Sequence, residues 1–364
     1  MDWKQELKSN VTDVKGLQSS FDLQLSTEEA EKFNEIIDLY PMSIPKYYLS
    51  LIEPDNEHDP IRRMCIPSYK ETDLTGNLDT SGEADNTVVT GLQHKYKQTA
   101  LILSTNQCAM YCRHCFRKRL VGLNSREIIK HFDEMIDYIN EHNEIHNVLI
   151  SGGDAFLNSN EMIKTYLDEL AGIKHLDYIR FGTRTPVVLP SRIYGDDELL
   201  SILKKYSELK KIYVVTHFNH PNELTNEAKK AIDSLLNAGI IIKNQTVLLK
   251  GVNDSSEVLI KLIKKLTQFG IVPYYIFQCR PVTGVKSQFQ VPILKGYSII
   301  RETKAKLSGQ GKCFHYVLSN KRGKIEVLGT LSEKTMIFKY HEAKYETDQE
   351  RIFTLDLAEE QCWI

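Results

Sequence analysis

Short apolar runs alternate with amphipathic segments between residue 99 and about residue 307. The runs have the length of buried strands, and the segments between them repeat apolar residues at helical spacing. The pattern predicts strands over 99–105, 147–151, 178–183, 212–217, 240–249 and 272–278, and helices near 125–142, 160–172, 196–208, 224–237, 254–269 and 294–307. Because such alternation is typical of parallel strands with crossover helices, we expect an α/β fold built on a partial (β/α)6 barrel that is open along one side.

The segments that flank this region have other patterns. Residues 1–95 are predicted to be helical or irregular, with a capping box at Ser26 and Glu29 and a helix start at Asp59. Within them, the polar and aperiodic stretch 69–90 predicts a long loop. Short strands are predicted at 314–318, 324–328 and 336–340. We therefore expect three regions: an N-terminal extension (1–95), the barrel (96–307) and a β-rich C-terminal segment (308–364).

Composition narrows the class of protein. The 364 residues are 41% hydrophobic and 26% charged, with a net charge of −2, which gives no electrostatic reason to expect a nucleic-acid or membrane partner. No apolar stretch approaches the roughly 20 residues of a spanning helix. The seven cysteines are an odd number and, apart from one triplet, are scattered along the chain. We therefore expect no disulfide framework, and we expect the protein to lie in a reducing cytoplasm.

The triplet is Cys108, Cys112 and Cys115, spaced CxxxCxxC directly after the first predicted barrel strand. Thiolates suit zinc or iron–sulfur clusters, and a structural zinc site usually takes four protein ligands, often from two paired knuckles. No second knuckle lies nearby. Three thiolates on a four-iron cluster leave one iron free, the arrangement with which radical S-adenosylmethionine (SAM) enzymes bind SAM. The alternative is a zinc loop completed by a distant residue such as Cys279.

Other polar motifs follow the remaining predicted strands, at the end of a βα barrel where chemistry takes place. They are Ser151-Gly152-Gly153-Asp154, Thr183-Arg184, His217, Gln245 and Cys279-Arg280. The two glycines would let the backbone approach a ligand, and the aspartate could accept hydrogen bonds from an ammonium or a ribose; the plain alternative is a tight turn. Arg117, after the third cysteine, could bind a carboxylate through two parallel hydrogen bonds, unless its run of cations is merely a solvated face.

Several longer motifs resemble those of the lysine 2,3-aminomutase family of radical SAM enzymes. They are HKY, CAMYCRHCFRKR, SGGDA, RTPVVLPSRI, THFNHP, NQTVLLKGVND and PYYIFQC, within about residues 59–307. The resemblance implies a partial barrel of the radical SAM type and an isomerase that moves an amino group from Cα to Cβ of an amino acid. It implies a 4Fe-4S cluster, SAM and pyridoxal 5′-phosphate (PLP) as cofactors, with an electron donor such as flavodoxin or ferredoxin. A homo-oligomer is a further possibility, which the resemblance does not decide.

The resemblance also assigns candidate roles to single residues. It implies that Cys108, Cys112 and Cys115 hold the cluster and that the SAM positions are Ser151, Gly152, Gly153, Asp154, Thr183, Arg184, His217 and Gln245. Arg117 matches the arginine that binds the substrate α-carboxylate. Lys95 and Tyr96 match an Arg-Tyr pair that holds the PLP phosphate. Thr99 stands where the family has a second arginine. Lys97 either compensates for this missing arginine or is an ordinary solvated lysine.

The PLP lysine and the substrate are implied by the remaining positions. Lys324 is the first choice for the lysine and Lys321 the second, with Arg322 as a cationic neighbour that would depress the pKa; the alternative is a hairpin turn decorated with cations. Arg280 stands where the lysine enzymes have an aspartate for the substrate ammonium, and Ser319 or Asn320 replaces the other aspartate. A cation there favours a carboxylate. The pattern also resembles that of the glutamate 2,3-aminomutases of the same family, which have a basic and an amide residue at these two places, so we expect glutamate first and aspartate second.

Other interpretations stay open at this stage. Arg280 could pair with a protein carboxylate or a bound anion. The chain could be a radical SAM enzyme that acts without PLP or on another amino acid, a relative that acts on a lysine of a translation factor, or a metal-stabilised binding module without activity. Only Cys313 and Cys362 follow the barrel, so the C-terminal cysteine cluster that holds structural zinc in the lysine enzymes is not expected.

Overall fold

A single sheet organises the computed structural model, which describes residues 2–21, 26–123 and 126–364. The sheet runs from β1 to β12 with every strand beside its neighbours in sequence. The strands are β1 Thr87–Val89, β2 Leu92–Tyr96, β3 Thr99–Thr105, β4 Asn147–Gly152, β5 Tyr178–Gly182, β6 Lys211–Thr216, β7 Ile241–Leu248, β8 Val272–Gln278, β9 His315–Ser319, β10 Gly323–Thr330, β11 Thr335–Ala343 and β12 Ile352–Asp356.

The strands β3 to β9 are parallel, and antiparallel hairpins extend the sheet at both ends. Each pair of strands from β3 to β9 is joined by a crossover that contains helix, as parallel pairing requires. The helices are α1 Trp3–Lys8, α2 Val14–Phe21, α3 Thr27–Leu39, α4 Lys46–Leu49, α5 Pro60–Cys65, α6 Phe132–Glu141, α7 Asn160–Gly172, α8 Thr185–Val188, α9 Ser191–Tyr194, α10 Asp197–Leu209, α11 Asn226–Asn237, α12 Ser256–Gln268, α13 Lys286–Phe289 and α14 Ile293–Ala305.

The predicted α/β architecture with a partial barrel is confirmed. Strands β3 to β8 match the six predicted strands to within one or two residues at each end, and five of the predicted crossover helices correspond closely to α7, α10, α11, α12 and α14. Apolar side chains on alternate strand positions, such as Val148, Ile150, Ile179 and Phe181, are fully buried under these helices. Their complete burial explains why the apolar runs were a reliable signal.

Some predicted boundaries were wrong. The helix expected over 125–142 begins only at Phe132; residue 125 lies outside the described residues, and 126–131 form turns and bends. Strands β1, β2 and β12 were not predicted at all. In contrast, the capping box of α3 is present, and Asp59 caps α5, its Oδ1 accepting from the backbone N–H of Arg62 at 2.7 Å.

The two ends of the open sheet approach each other. The Lys95 ammonium on β2 donates to the backbone oxygen of Asn320, in the turn between β9 and β10, at 2.5 Å. Lys97 forms an exposed ion pair with Glu346 at 3.1 Å. These contacts join the C-terminal segment to β2 and to the residue that follows it. Within the part of the chain that the structure describes, every helix is too short or too polar to cross a bilayer.

Candidate active site

The turn after β4 holds the base of the cysteine loop. The N–H of Gly153 donates to the oxygen of Thr105 at 2.6 Å, and that of Asp154 to the oxygen of Gln107 at 2.8 Å. A Cβ on Gly153 would lie 2.2 Å from the Gln107 oxygen, and Gly152 has a φ of +116°. The glycines are therefore required by the close passage of the cysteine loop itself, a reason that the sequence had not suggested.

Asp154 joins the ends of two neighbouring strands. Its carboxylate accepts from the hydroxyl of Thr183 at 2.6 Å and from the backbone N–H of Arg184 at 2.7 Å. The residue is only 3% exposed, and burial raises the pKa of the carboxyl above its ordinary value. These hydrogen bonds all come from protein donors, and the contact of Asp154 with SAM stays a prediction.

Arg184 connects the same turn to the cysteines. One guanidinium nitrogen lies 2.7 Å from the Cys112 sulfur, and another lies 2.5 Å from the buried carboxylate of Glu223. The Nε donates to the backbone oxygen of His217 at 3.1 Å. A charge-assisted donor fixed beside a cysteine sulfur stabilises a thiolate or a sulfur-bound cluster. Arg184 and His217 therefore lie together at the cysteine loop, as expected for one site.

The residues around the loop fit an iron–sulfur cluster better than a single zinc ion. In a tetrahedral zinc site, sulfurs bonded at 2.3 Å would lie roughly 3.8 Å apart. Among the described residues, the side chains that converge closely enough for one metal ion do not include the three cysteines. Burial raises the pKa of the Cys115 thiol to about 11, so a strongly charge-compensating partner is needed to keep it as a thiolate.

Two buried histidine nitrogens point to a ligand at the same place. His114 Nδ1 and His217 Nε2 have no hydrogen-bond partner among the described residues. Burial, aided by the charge of Arg184, lowers the pKa of His217 to about 3, so this ring is neutral. Unpartnered buried polar atoms are rare in folded proteins. They fit a site that a polar ligand such as SAM completes.

Arg117 links the cysteine side of the site to a second group of cations. Its Nε donates to Glu83 at 2.8 Å, and one Nη donates to the Ser151 hydroxyl at 3.1 Å and to the Gly152 oxygen at 3.2 Å. Burial acts to raise the pKa of Glu83, but Arg117, Arg119 and Arg280 outweigh it and hold that pKa below its ordinary value. The guanidinium predicted to bind a substrate carboxylate therefore holds a protein carboxylate here.

Arg280 has no such partner. Its guanidinium contacts the Ser81 hydroxyl and lies 4.4 Å from the centre of the Phe116 ring. No carboxylate of the described residues forms an ion pair with it, and removal from water lowers its pKa to about 10. The same environment affects Lys95, because burial and the charges of Arg280 and Lys324 lower the pKa of that ammonium to about 7. Lys95, Arg280 and Lys324 thus lie close enough together to depress the pKa of Lys95, and they form the cationic group of the site, in which Lys324 is paired with Glu342.

Lys324 points into the barrel, whereas Lys321 is exposed in the turn. The Lys324 ammonium contacts Glu342 at 2.5 Å and lies 5.3 Å and 4.8 Å from the ring centres of Tyr96 and Tyr275. Burial acts to lower its pKa, but Glu342 outweighs burial and the pKa is raised. The depressed pKa expected from a cationic neighbour was therefore wrong.

The proposed neighbour Arg322 points elsewhere. Its guanidinium pairs with Asp348 at 2.6 Å, and this pair occupies it outside the barrel. Lys97 is likewise outside, in its exposed pair with Glu346, so it does not replace the arginine missing at Thr99. Gln245 is half-buried on β7, in register with Tyr275 of β8. It shares a face of the sheet with that ring.

Several charged residues of the site were not predicted from the sequence. Glu83 lies in the aperiodic loop, and no local pattern marks it. Glu223 and Glu342 pair with Arg184 and Lys324, respectively. Each of the three is a carboxylate that becomes a partner of a predicted cation only in the folded chain.

Comparisons with known proteins agree with this geometry. Residues 102–263 match the Radical SAM superfamily. The chain is 40% identical over 311 residues to the L-lysine 2,3-aminomutase of Acetoanaerobium sticklandii, an alignment that covers 85% of this chain and 73% of the relative. It is 42% identical over 303 residues to that of Methanococcus maripaludis, covering 82% and 69%. The chain belongs to the lysine 2,3-aminomutase family of radical SAM enzymes. The family expectation and the isomerase class are confirmed.

Membership in the family leaves the substrate open. The glutamate 2,3-aminomutase of Clostridioides difficile is 38% identical over 330 residues, which cover 88% of this chain and 76% of the relative. That identity is nearly the same as the identity to the lysine enzymes, so overall similarity does not discriminate between them. The family implies a 4Fe-4S cluster and SAM, and PLP is typical of its lysine 2,3-aminomutases.

Proposed function

We propose that this protein is a PLP-dependent 2,3-aminomutase for an acidic α-amino acid, with glutamate preferred over aspartate. The observation that carries this proposal is the guanidinium of Arg280, which lies inside the barrel mouth without a carboxylate partner among the described residues. A substrate side-chain carboxylate would supply that partner and gain charge-assisted hydrogen bonds.

A lysine substrate is disfavoured by the same residues. Its ε-ammonium would enter a pocket that already contains Arg280, Lys95 and Lys324, charges close enough to depress the pKa of Lys95 to about 7. A desolvated charge without an opposite partner costs several kcal/mol. These cations therefore select for an anionic side chain.

The cationic pocket also supports PLP binding. The Lys95 ammonium is held between Asn320 and Ser81 by hydrogen bonds of 2.5 and 3.1 Å to their backbone oxygens. The pKa of Lys95 is lowered to about 7, so part of this side chain is deprotonated at neutral pH. A bound phosphate would give the ammonium form an anionic partner. Lys324 is the lysine that faces the barrel, so we assign it as the residue that binds PLP covalently. When bound, PLP supplies the conjugated system that carries the migrating amino group.

The remaining residues bind and orient. Cys108, Cys112 and Cys115 would hold the cluster, and Gly152, Gly153 and Asp154 position their loop. Thr183, Arg184, His217 and Gln245 line the proposed SAM side, with Ser151 between this group and Arg117. Arg117 would hold the substrate α-carboxylate in exchange for Glu83. Glu342 lies where it can accept the proton that Lys324 must lose before it reacts as an amine.

A substrate screen tests the proposal. The anaerobically reconstituted enzyme, with SAM, PLP and reductant, is offered glutamate, aspartate, lysine, arginine and alanine separately, and the products are analysed for β-isomers by chromatography and mass. We expect conversion of glutamate above all others. Turnover of lysine in preference to glutamate would contradict the assignment of Arg280.

One observation favours a second candidate, a radical SAM reaction of this family without PLP. The ion pair between Lys324 and Glu342 keeps the lysine protonated and raises its pKa, and protonated lysine is not a nucleophile. Added PLP should give the visible absorbance of a lysine-bound cofactor, and Lys324→Ala should abolish it. If wild type gives no such absorbance while SAM is still cleaved, this second candidate replaces the first.

Partners and location are proposed on chemical grounds. Cleavage of SAM at a cluster needs one electron, so we propose a small electron donor such as flavodoxin or ferredoxin. Seven free cysteines and an oxygen-sensitive cluster suit a reducing cytoplasm.

A further inference from the structure

Three side chains of metal-ligand type converge outside the cysteine loop. They are His315 on β9, Glu326 on β10 and His341 on β11, and one ligand atom from each lies within 4.8 Å of the others. His315 Nδ1 is 2.7 Å from Glu326 Oε1, and His341 Nδ1 is 3.9 Å from Glu326 Oε2. The two imidazole rings are 4.8 Å apart. Within the described residues, this is the one set of three that meets this distance.

A bulge in the sheet creates the arrangement. Lys324 pairs with Glu342 across β10 and β11, but the next pair is Ile325 with Tyr340. His341 is therefore an extra residue on β11. A bulge of this kind re-aims a side chain, and here His341 turns toward Glu326.

The surroundings orient His341 as a ligand. Its Nε2 lies 2.7 Å from the Tyr275 hydroxyl, which leaves Nδ1 directed at Glu326. Metal-binding histidines commonly use the second ring nitrogen in a hydrogen bond of this type. The His315 side chain is 40% exposed, so an ion can reach the group from solvent.

The types of donor also suit metal binding. Two of the three donors are imidazoles and the third is a carboxylate. Calcium and magnesium prefer sites made only of oxygen ligands, so this donor set favours ions with strong nitrogen affinity.

We propose that His315, Glu326 and His341 bind a divalent transition-metal ion of the zinc type, with water as the remaining ligand. Two histidines and a glutamate are a known donor set for zinc with one open position. With bonds of about 2.0–2.1 Å, tetrahedral ligand atoms lie roughly 3.3 Å apart. From the present distances of 2.7 and 3.9 Å, His315 must move away from Glu326 by about 0.6 Å and His341 must approach it by about 0.6 Å.

The ion would tie three strands together beside the proposed PLP lysine. Glu326 is two residues after Lys324 on the same face of β10, and His341 precedes its partner Glu342. The site is separate from the cysteine loop and needs neither SAM nor PLP. Its test is therefore independent of the proposed catalytic activity.

Metal analysis of the cluster-loaded full chain tests the proposal. Protein with reconstituted iron is incubated with Zn²⁺ and desalted, and zinc and iron are measured together with the melting temperature. We expect zinc at a 1:1 ratio to the chain and a rise in melting temperature, because an ion that binds only the folded state stabilises it. Glu326→Gln and the double variant His315→Gln/His341→Gln should lose at least tenfold in zinc affinity, with iron unchanged.

Two controls decide the outcome. His175→Gln removes another partly buried histidine, whose Nε2 contacts only a backbone oxygen at 3.0 Å, and should retain zinc. A variant with serine at Cys108, Cys112 and Cys115 should retain zinc and lose iron. Absence of zinc from wild type overturns the proposal, and so does zinc that persists in both site variants or disappears with the three cysteines.

Discussion

At the scale of single residues, the site is defined by which cations have partners. Arg117 and Arg119 share Glu83, and Arg184 pairs with Glu223. Arg280 alone of these four donates its hydrogen bonds only to hydroxyls, those of Thr80 and Ser81. A substrate carboxylate at Arg280 therefore displaces no protein carboxylate. The proposed specificity for an acidic side chain rests on this guanidinium, which has no ion pair among the described residues.

Replacement of Arg280 tests that inference. Arg280→Gln removes a charge-assisted contact of about 1.5–3 kcal/mol, so kcat/KM for glutamate should fall about 10- to 150-fold. Arg280→Lys keeps the charge without the two-pronged geometry and should be intermediate. Steady-state kinetics on both variants measure the effect. Unchanged glutamate kinetics in Arg280→Gln would show that the carboxylate binds elsewhere.

A second prediction concerns the pH dependence of PLP binding. Lys95 has a pKa of about 7 in the free protein, and a bound phosphate raises it. PLP affinity should therefore fall as the pH rises above about 7, by roughly tenfold per pH unit, until the higher pKa of the complex is reached. Titrations of PLP absorbance from pH 6 to pH 9 measure this dependence.

The matched control is Lys95→Arg. An arginine stays charged throughout this range, so the variant retains only the titrations of PLP and of Lys324, which wild type shares. Wild type and Lys95→Arg with parallel pH profiles would mean that Lys95 does not bind the phosphate.

At the scale of elements, the turn after β4 carries the cysteine loop. Gly153→Ala would place a Cβ 2.2 Å from the Gln107 oxygen, and the loop must move by an amount that costs about 1–3 kcal/mol. We expect lower iron content per chain and a lower melting temperature. Gly172→Ala at the end of α7 meets nothing within 4 Å, so it should leave iron content unchanged. Equal iron content in the two variants would contradict the role of this turn.

The elements also show how far the sequence could be read. Strands β3 to β8 were predictable because each is an apolar run buried beneath helices, whereas β12 is largely exposed and β1 has only three residues. Neither strand therefore produces an alternation of apolar and polar residues in the sequence from which it could be predicted. The cysteine loop was marked by local spacing, but Glu83 and Arg117 are 34 residues apart and meet only through the fold. The bulge that turns His341 inward is likewise a property of strand pairing.

At the scale of the whole molecule, a buried ion network attaches the N-terminal region to the cysteine loop. Glu71 binds Arg113 and Lys118, each at 2.5 Å, and all three side chains are almost fully buried. Arg113 also donates to the backbone oxygens of Pro41 and Tyr40. The N-terminal region is therefore fixed to the loop that carries the cluster ligands.

Glu71→Gln should destabilise the protein by about 3–5 kcal/mol, because it leaves two buried cations without their counter-charge. Chemical denaturation measures the change. Glu346→Gln breaks the exposed pair with Lys97 and should cost at most about 1 kcal/mol. Similar losses in the two variants would contradict the importance of burial for this network.

The same network contributes to pH stability in a defined direction. Burial acts to raise the pKa of Glu71, but the two cations outweigh it, so the folded pKa lies below the ordinary value. The stabilisation is complete above the unfolded pKa of about 4.3 and is lost as the pH falls through the folded pKa. Glu71→Gln should flatten this acid limb of stability.

The order of strands in the sheet has a consequence for synthesis on the ribosome. Every strand pairs with its predecessor, so the sheet can grow as the chain emerges. Lys95 nevertheless meets its partner Asn320 across 225 positions, and Lys324 emerges later still. The nascent chain thus completes the loop for its metal cluster long before the lysine assigned to PLP exists. The cluster loop and the proposed PLP site are therefore completed at different times during synthesis, and the PLP site is completed only when the last hairpins have emerged.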